Sequence, residues 1–447
     1  MPVAWCLIWS LSSLVEARYF RDTSSTLPSS ATPVTPAKMS SNNLPSFLTR
    51  ENMIIQPPTT TNSILNFPST TIASDAKETH ILVHPRYPDL LSSFLTYKRI
   101  HGSSYEQALD ASLTWQELAA RFINARPLTF MGRMDYTLLR DGTELNDNDR
   151  NEWDSNGTAV QHLNSQLSLK DYLSYDEIML SSLLAVSGPS FFINTGDRLN
   201  CAIPAQAGTF QPRGIIVGLV GARFERKHRM DSVHILRPPA NRESIKFPLQ
   251  DPAVSRMIES FFGAPRDPTL HFDVLMYKAR IRIAADMFLL EADARAGAAG
   301  KKAWAYVVGL GLGVWQHHHQ QSEWYVAAFG ESIAEDELAH VGTIEFAYIP
   351  LPGELQKEII DIGERKGIRV LFSRRNPAEK LHGDELLVLS YAWDGNAFPG
   401  NEYWTGSLQG SGDPAAACMS TVGELHSPLV NAEFTERVKI AGCDGHA

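Results

Sequence analysis

The chain has 447 residues, of which 43% are hydrophobic and 20% are charged, and its formal net charge at pH 7 is -10. A chain of this length and hydrophobicity can bury a large core, which excludes a wholly disordered protein and allows one large or two ordinary domains. The acidic balance argues against binding of nucleic acid through bulk charge and slightly favours a basic partner.

The first 78 residues are predicted to be a leader without stable structure. Residues 23–76 are rich in Ser, Thr, Pro and Asn, a composition that buries too little apolar surface to offset chain ordering. The apolar start, from Val3 to Leu14, resembles a short signal segment with a candidate cleavage site at Ala17, but no Lys or Arg precedes it. Secretion is therefore the alternative to the cytoplasmic location that we predict.

Apolar runs and cysteines support the same location. The start is too short to cross a bilayer, and no other segment reaches about 18 uninterrupted apolar residues, so no membrane partner is expected. The cysteines are scattered without CxxC spacing, which predicts neither a zinc site nor a disulfide framework. They are Cys6, Cys201, Cys418 and Cys443. This pattern fits a reducing compartment.

Residues 79–185 are predicted to form a helical extension with an acidic surface loop. Apolar residues recur at three- and four-residue spacing from Leu90 to Tyr97 and from Tyr105 to Ile123, which indicates two helices. The acidic, Asn-rich stretch that follows, from Asp141 to Asp149, is typical of a surface insertion.

Residues 186–440 are predicted to form an α/β domain, because short apolar runs alternate with helical patterns. The predicted strands are Ser190–Asn194, Gly214–Val220, Ala303–Val308, Thr343–Ile349, Ile368–Phe372 and Glu385–Tyr391. The predicted helices are Asp251–Phe262, Asp273–Ala292, Ser322–Glu337 and Gly353–Lys366. Such alternation implies a mixed, largely parallel sheet between layers of helices.

Two segments invite a metal hypothesis, and neither supports it. Counted from Asp141 as a calcium-binding loop, the acidic insertion places Glu152 at the twelfth position, but apolar Leu145 falls on a ligand position, so a solvated loop is predicted. The three consecutive histidines, His317 to His319, point in different directions on a helix or a strand and cannot all face one ion. A solvated helix start is predicted there, and no metal or cofactor.

A glycine occupies every second position of one loop that follows a predicted strand. Gly309, Gly311 and Gly313 precede Trp315, and a helix follows shortly after. Backbone amides of such a loop can approach a phosphate closely, and a helix N-terminus adds positive potential. The spacing matches neither GxGxxG nor the P-loop pattern, so a tight turn required for packing is an equal alternative.

Two further loops after strands carry candidate ligand-binding residues. Asn194 offers an amide that suits ribose hydroxyls or a base edge, although an Asx turn is the plainer explanation. Gly221 lies in the Val220–Glu225 segment, where Phe224 could stack on an aromatic base. A phenylalanine at such a position is more often part of the core.

The most specialised segment lies between Leu387 and Asp413. A buried strand brings Asp394 to a strand end, where ligand sites of open α/β sheets form. The loop that follows is rich in amides, glycines and acids, and its candidate ligand-binding residues are Asn396, Gly400 and Asn401. If the loop folds back over the sheet edge, Asp394, Glu402 and Asp413 converge, so that one carboxylate activates water and another holds ribose hydroxyls or assists the leaving group.

Each acid also has a plainer explanation. Asp394 could close an Asx turn, and Glu402 could be solvated. Asp413 precedes Pro414 and suits a helix N-cap with proline at the first helical position, which is more probable than catalysis and compatible with it.

Three segments resemble a known family, the macrodomain-like ADP-ribosyl hydrolases typified by the Legionella effector MavL, which remove ADP-ribose from an arginine of ubiquitin, together with their eukaryotic relatives. These segments are Val220–Glu225, Gly309–Trp315, and Ala392–Asn396 with its continuation through Gly400–Trp404 to Ser411–Ala417. The resemblance spans roughly His80 to Asn431.

The resemblance implies a macrodomain-like three-layer α/β/α sandwich that hydrolyses ADP-ribosyl-arginine without a cofactor. Its implied substrate is the ADP-ribose moiety of a modified protein such as ubiquitin. The implied catalytic residues are Asp394, Glu402 and Asp413, with the loop from Gly309 to Trp315 as the diphosphate cradle. Glu402 departs from the aspartate of the family pattern, so its longer side chain must reach the same point from a backbone set farther back.

Two other classes of protein remain open at the level of sequence. A reader that binds ADP-ribose without hydrolysing it is the first alternative, but the excess of acids in the late loop disfavours it, because carboxylates beside a diphosphate are unfavourable unless they serve the reaction. An NAD-dependent dehydrogenase is the second, and the absence of GxGxxG counts against it.

Overall fold

The computed structural model describes residues 44–131, 136–238, 250–410 and 412–443. The signal-like start and residues 23–43 of the predicted leader lie outside the described residues, as does Ser411. Among the described residues, none of the helices combines the length and the apolar character needed to cross a bilayer.

Ten strands are present in the described part of the chain. They are β1 (His80–Val83), β2 (Thr129–Met131), β3 (Tyr136–Leu138), β4 (Leu184–Phe191), β5 (Arg213–Leu219), β6 (Ala303–Val307), β7 (Val341–Ala347), β8 (Arg369–Ser373), β9 (Leu386–Ala392) and β10 (Val438–Ile440). Strands β2 and β3 form an antiparallel hairpin, and the other eight form one sheet in the order β10-β1-β4-β5-β9-β6-β7-β8.

Seven of the eight strands of this sheet run in the same direction. Strands β5, β9, β6, β7 and β8 are parallel to their neighbours, as are β1 and β10. Strand β4 is antiparallel to both β1 and β5. The sheet is therefore mixed and largely parallel, as predicted. The loop that follows antiparallel β4 lies at the opposite edge of the sheet from the loops that follow the parallel strands.

Helices cover the sheet and connect its strands. They are α1 (Ser69–Glu78), α2 (Tyr87–His101), α3 (Ser104–Asp110), α4 (Trp115–Asn124), α5 (Tyr175–Ser181), α6 (Ser232–Ile235), α7 (Pro252–Phe262), α8 (Val274–Ala298), α9 (Gln321–Glu335), α10 (Gly353–Arg365), α11 (Asp413–Met419) and α12 (Val422–Leu425). The predicted α/β fold class is confirmed.

The helix expected from Tyr105 to Ile123 is two helices, because a second start signal interrupts it. The Thr114 side chain accepts the backbone N–H of Glu117, and the Glu117 side chain accepts the backbone N–H of Thr114. This capping box begins α4, and an equivalent box of Ser103 and Glu106 begins α3.

The described structure does not divide at residues 78 and 186, where the sequence predicted boundaries. Residues 44–443 belong to one compact unit, and β1 lies inside the sheet between β10 and β4. Part of the predicted leader is also ordered, since α1 forms there and Leu48, Met53 and Ile64 are buried. The burial of these three apolar side chains stabilises a segment whose composition had predicted too little buried apolar surface.

Three neighbouring strands end at the same edge of the sheet. Strands β5, β9 and β6 are adjacent and parallel, so the loops after Leu219, Ala392 and Val307 start side by side. Loops at the carboxyl ends of parallel strands form the ligand crevice of open α/β sheets. This edge, called the carboxyl edge below, carries most of the predicted site residues.

Candidate active site

The loop after β9, residues 393–412, is called the acid loop. It turns sharply after the strand, because the indole N–H of buried Trp393 donates to the Ala397 carbonyl at 3.0 Å. Gly395 has φ +76°, and a Cβ there would lie 2.5 Å from the Val220 side chain, so only glycine fits. The turn therefore packs directly on the loop that follows β5.

Asp413 closes the other end of the acid loop. Its two carboxylate oxygens accept the backbone N–H groups of Gly400 at 2.7 Å and of Asn401 at 2.9 Å. Helix α11 begins at Asp413 with Gly412 as its N-cap, and the Asp413 side chain caps no helix amide. The predicted N-cap role is thus replaced by a clamp on the loop.

Asn401 connects Asp413 to Asp394. Its backbone N–H donates to Asp413, and its side-chain amide donates to the Asp394 carboxylate in a short hydrogen bond. Its side-chain oxygen accepts the Phe130 N–H at 2.7 Å, and its carbonyl accepts the Thr129 hydroxyl at 2.7 Å. Asn401, predicted to bind ligand, is fully engaged in orienting Asp394.

The three acids lie close enough together for Glu402 to raise the pKa of Asp394 and for Asp394 and Glu402 to raise the pKa of Asp413. Burial raises the pKa of Asp394 from 3.8 to about 7, the Arg223 guanidinium opposes this, and Glu402 and Glu225 add to it. Burial and the neighbouring Asp394 raise the pKa of Asp413 well above its ordinary value, against the two amides that it accepts. Such a cluster can hold and transfer protons near neutral pH.

Glu402 differs from the two aspartates in its freedom. Its side chain is partly exposed, burial raises its pKa, and its own backbone amide is the only partner indicated among the described residues. Glu402 is therefore the acid of the three that is most available to a ligand.

Arg223 links the acid loop to the loop after β6. Its Nη1 donates to the Asp394 carbonyl at 2.8 Å and to the Asn396 side-chain oxygen at 2.5 Å. Its guanidinium lies 4.4 Å from the ring centre of Trp315. Its Nε donates to the Glu225 carboxylate at 2.8 Å. Sequence reasoning missed Arg223 and Glu225, although both stand in the Val220–Glu225 segment that it had singled out.

A buried ion pair holds the backbone behind Arg223. Asp231 accepts the Arg223 N–H at 2.9 Å and the Arg280 Nε–H at 2.9 Å, and both side chains are almost fully buried. Arg280 also donates to the carbonyls of Ser182 and Val220. The pair thus fixes the start of β4 and the end of β5 at the carboxyl edge.

The segment from Gly309 to Gly313, called the glycine turn, packs on the loop after β5. A Cβ at Gly221 would lie 2.4 Å from the Leu310 backbone, and one at Gly311, where φ is +72°, would lie 2.8 Å from the Ala222 carbonyl. The packing explanation therefore holds for Gly221 and Gly311. Gly309 would meet only the Leu312 side chain, and Gly313 has nothing within 4 Å and is exposed, so the amides near Gly313 remain open to a ligand.

Phe224 and the histidine triplet belong to one group of rings. Phe224 is buried, with ring centres 5.6 Å from Phe272 and 5.5 Å from His317, while His318 stacks on Trp324 at 4.7 Å. Phe224 thus has the core environment that was its plainer explanation. Within the described residues, no three or more His, Cys, Asp or Glu side chains are grouped to hold a metal ion.

Asn194 does not reach this site. It follows β4, the antiparallel strand, whose end at Phe191 pairs with the start of β5 at Arg213, on the opposite edge of the sheet. Its side chain accepts the Gly196 N–H at 2.9 Å and donates to Asn200 and Ile203. This is the Asx turn that was its alternative explanation.

A fully buried arginine supports the acid loop from behind. The Arg126 guanidinium stacks on Trp393 at 4.1 Å and donates to the Ser181 carbonyl at 3.1 Å, and the Ser181 hydroxyl donates to the Gly395 carbonyl at 2.9 Å. Burial lowers the pKa of Arg126 to about 9, and Asp413 opposes this. The Arg126 Nε also donates to the nearby Phe122 carbonyl, but no local motif marks Arg126, since Ser181 and Trp393 lie far along the chain.

The chain matches one family model and two characterised relatives. The model described as ADP-ribosylhydrolase MavL-like matches residues 53–246 and 249–444. The chain is similar to ADP-ribosylarginine hydrolase CG2909 of Drosophila melanogaster, with 34% identity over 401 residues, 81% of this chain and 78% of the relative. It is also similar to ADP-ribosylarginine hydrolase CG3568 of the same species, with 36% identity over 389 residues, 79% of this chain and 75% of the relative. The part of the chain that the family model matches includes the acid loop.

Proposed function

Because the chain belongs to the MavL-like ADP-ribosylhydrolase family, we propose that it hydrolyses the N-glycosidic bond between the distal ribose of ADP-ribose and an arginine side chain. The observation that carries this proposal is the cluster of Asp394, Glu402 and Asp413 at the carboxyl edge, where burial and neighbouring carboxyls raise the pKa of both aspartates. Both Drosophila relatives are named as ADP-ribosylarginine hydrolases, which supports the choice of arginine as the acceptor.

In the proposed reaction, water attacks C1 of the distal ribose while the bond from C1 to the arginine nitrogen breaks. The water oxygen forms the new C–O bond, and the electron pair of the broken bond leaves with the nitrogen. The proton lost by water passes to a carboxylate, and the departing guanidine takes up a proton, so arginine leaves as a guanidinium. Carboxylates beside C1 stabilise its oxocarbenium character.

We assign the base to Asp394 and the second acid to Glu402. A base works best when its pKa is close to the operating pH, and the pKa of Asp394 is about 7. Glu402 is partly exposed and free to face the leaving nitrogen. Both carboxylate oxygens of Asp413 accept backbone N–H groups, so we assign Asp413 the role of positioning the acid loop.

The diphosphate is proposed to lie away from the acids, on the segment from Gly309 to Trp315. Carboxylates repel a diphosphate, whereas backbone N–H groups attract it. Gly313 and Val314 are exposed, and Trp315 contacts Arg223, which in turn contacts Asp394. A ligand that bridges the glycine turn and the acid loop therefore follows a continuous set of contacts.

Ubiquitin modified on arginine is the protein substrate that the family resemblance implies, and we propose it as the first to test. We also propose the cytoplasm as the location. The described cysteines, Cys201, Cys418 and Cys443, are all free thiols, which fits a reducing compartment.

The test is incubation of the protein with arginine-ADP-ribosylated ubiquitin and, separately, with ADP-ribosyl-arginine, followed by chromatography of free ADP-ribose. Release from both supports the proposal. Release from ADP-ribosyl-arginine alone removes ubiquitin but keeps the activity. Binding of ADP-ribose by calorimetry without release from either substrate makes the protein a reader.

A further inference from the structure

Two buried polar atoms beside Arg223 have no partner among the described residues. One is the second carboxylate oxygen of Glu225, Oε2, and the other is the side-chain nitrogen of Asn396. Buried polar groups are nearly always hydrogen-bonded, so each unpaired one needs an explanation. An absent ligand is the explanation that places both at one site.

The orientation of both groups is fixed by Arg223. An arginine can only donate, so Asn396 must turn its oxygen toward Arg223 and its N–H₂ group away. Glu225 likewise gives Oε1 to Arg223 and leaves Oε2 unused. One side of Arg223 therefore offers an unpaired acceptor and the other an unpaired donor.

These two atoms suit two different groups of one substrate. A guanidinium has only donors and a positive charge, so it pairs with a carboxylate oxygen and not with an amide N–H₂. A ribose hydroxyl oxygen can accept from the amide. In ADP-ribosyl-arginine the guanidinium and the ribose are joined by one bond, so the two groups are adjacent. Glu225 and Asn396 are also close to each other, because both bind the Arg223 guanidinium.

Charge favours a cation at this place. Glu225 is near enough to Asp394 to raise the pKa of that carboxyl, so the region already holds like charges. Arg223 offsets only part of them, since it pairs with Glu225 and lowers the pKa of Asp394 without preventing the rise of that pKa to about 7. A positively charged leaving group lowers this repulsion, whereas a neutral one does not.

We propose, on the premise of the hydrolase activity above, that Glu225 is the residue that recognises the arginine guanidinium, through its Oε2. About 10% of the Glu225 side chain is exposed, so this carboxylate lies near the surface from which a ligand approaches. Glu225 thereby makes the enzyme selective for arginine over acceptors that carry no positive charge.

The first experiment uses the wild-type protein with agmatine and its urea isostere, N-carbamoylputrescine. The two compounds differ only where the guanidinium becomes a neutral urea. With ADP-ribose at saturation, calorimetry should show agmatine binding at least about tenfold more tightly, as a charge-assisted hydrogen bond predicts. Equal binding of the two compounds overturns the proposal, and no variant is needed for that result.

The second experiment compares Glu225→Gln with Glu337→Gln, which changes an exposed glutamate elsewhere. In Glu225→Gln the preference for agmatine should fall to less than about threefold, and KM for ADP-ribosyl-arginine should rise roughly tenfold or more. The affinity for ADP-ribose alone should stay within about twofold of wild type, because Glu225 faces the acceptor and not the nucleotide. A retained preference, or an equal loss of ADP-ribose affinity, overturns the proposal.

The two proposals fail in different ways. If the wild type prefers agmatine and this preference depends on Glu225, but no substrate is hydrolysed, the guanidinium site stands and the hydrolase proposal falls. If ADP-ribosyl-arginine is hydrolysed and Glu225→Gln leaves the agmatine preference intact, the activity stands and the assignment of Glu225 falls.

Discussion

Asn401 links Asp413 to Asp394, because its backbone N–H donates to the Asp413 carboxylate while its side-chain amide donates to the Asp394 carboxylate. Asp394 therefore does not find its orientation alone. The same asparagine is anchored from the other side by Thr129 and Phe130. Thr129 stands 272 positions before Asn401, so the position of Asp394 depends on more of the fold than its own loop.

Replacement of Asp394 by asparagine should abolish the base and keep the loop. The amide is nearly isosteric but cannot take a proton from water, so kcat should fall by roughly 10² to 10⁴-fold. Affinity for ADP-ribose should persist, as calorimetry can measure. Asp384→Asn, on an exposed loop, is the matched control. Turnover near the wild-type level in Asp394→Asn would end the assignment of Asp394.

The rate of hydrolysis should depend on the ionisation of Asp394. The carboxylate is the active form of a base, and the pKa of Asp394 is about 7. We therefore expect kcat to rise as Asp394 ionises near pH 7 and to fall again at higher pH, where Glu402 has lost the proton that it gives to the leaving group. A profile of kcat without a rising limb would instead make Asp394 the proton donor.

Stability should depend on pH in the opposite direction. Because the pKa of Asp394 is raised from 3.8 to about 7 on folding, the folded protein holds a proton between these pH values that the unfolded chain has lost. The free energy of unfolding therefore decreases as pH rises through this window. In Asp394→Asn this contribution is absent, so the Tm of the variant minus that of the wild type should increase from about pH 4 to about pH 7 and then stay constant.

The control for this measurement is again Asp384→Asn, whose Tm difference from the wild type should not vary with pH. A pH-independent difference for Asp394→Asn would show that the carboxyl titrates alike in the folded and unfolded states. That outcome would also remove the physical basis for Asp394 as a base near neutral pH.

Gly311 and Gly313 of the glycine turn should respond differently to replacement by alanine. Gly311 has φ +72°, and a Cβ there meets the Ala222 carbonyl at 2.8 Å, whereas a Cβ at Gly313 meets nothing within 4 Å. Gly311→Ala should lower the free energy of unfolding by roughly 1–3 kcal/mol and weaken ADP-ribose binding, because the turn must move away from Ala222. Gly313→Ala is the matched control and should unfold like the wild type in urea. Equal stability of the two variants would contradict this account of the turn.

The sequence predicted the strands that are long and apolar, and it missed those that are neither. Strands β5 to β9 agree with the predicted runs within a few residues, whereas β1 and β10 have four and three residues and carry too little pattern. Strand β4 contains Gly188, Pro189 and two serines, which conceal it. Its antiparallel direction places Asn194 at the far edge, and no local pattern reports strand direction.

The candidate site was predictable where neighbours in sequence are neighbours in space. Asp394 and Glu402 lie in the acid loop and Asp413 follows it directly, so their convergence required only that this loop fold back. Asp231 and Arg280 stand 49 positions apart on separate elements, and each is an ordinary polar residue in its local sequence. Only the folded chain reveals that they hold the loop after β5.

The ion pair of Asp231 and Arg280 should contribute more to stability than exposed pairs on the same helix. Both partners are nearly inaccessible, so Asp231→Asn leaves the Arg280 charge uncompensated in the interior, at a cost of about 3–5 kcal/mol. Glu335→Gln, which removes an exposed partner of Arg282 on α8, should cost less than about 1 kcal/mol. Urea unfolding measures both.

Asp231→Asn should also raise KM, because the Arg223 backbone loses its acceptor. If the double variant Asp231→Asn/Arg280→Met regains stability but not the wild-type KM, the two roles of Asp231 are separate. A cost for Asp231→Asn no larger than that of Glu335→Gln would show that the pair is replaced by other contacts, and the loop after β5 would then owe its position to Gly221 and Gly311 alone.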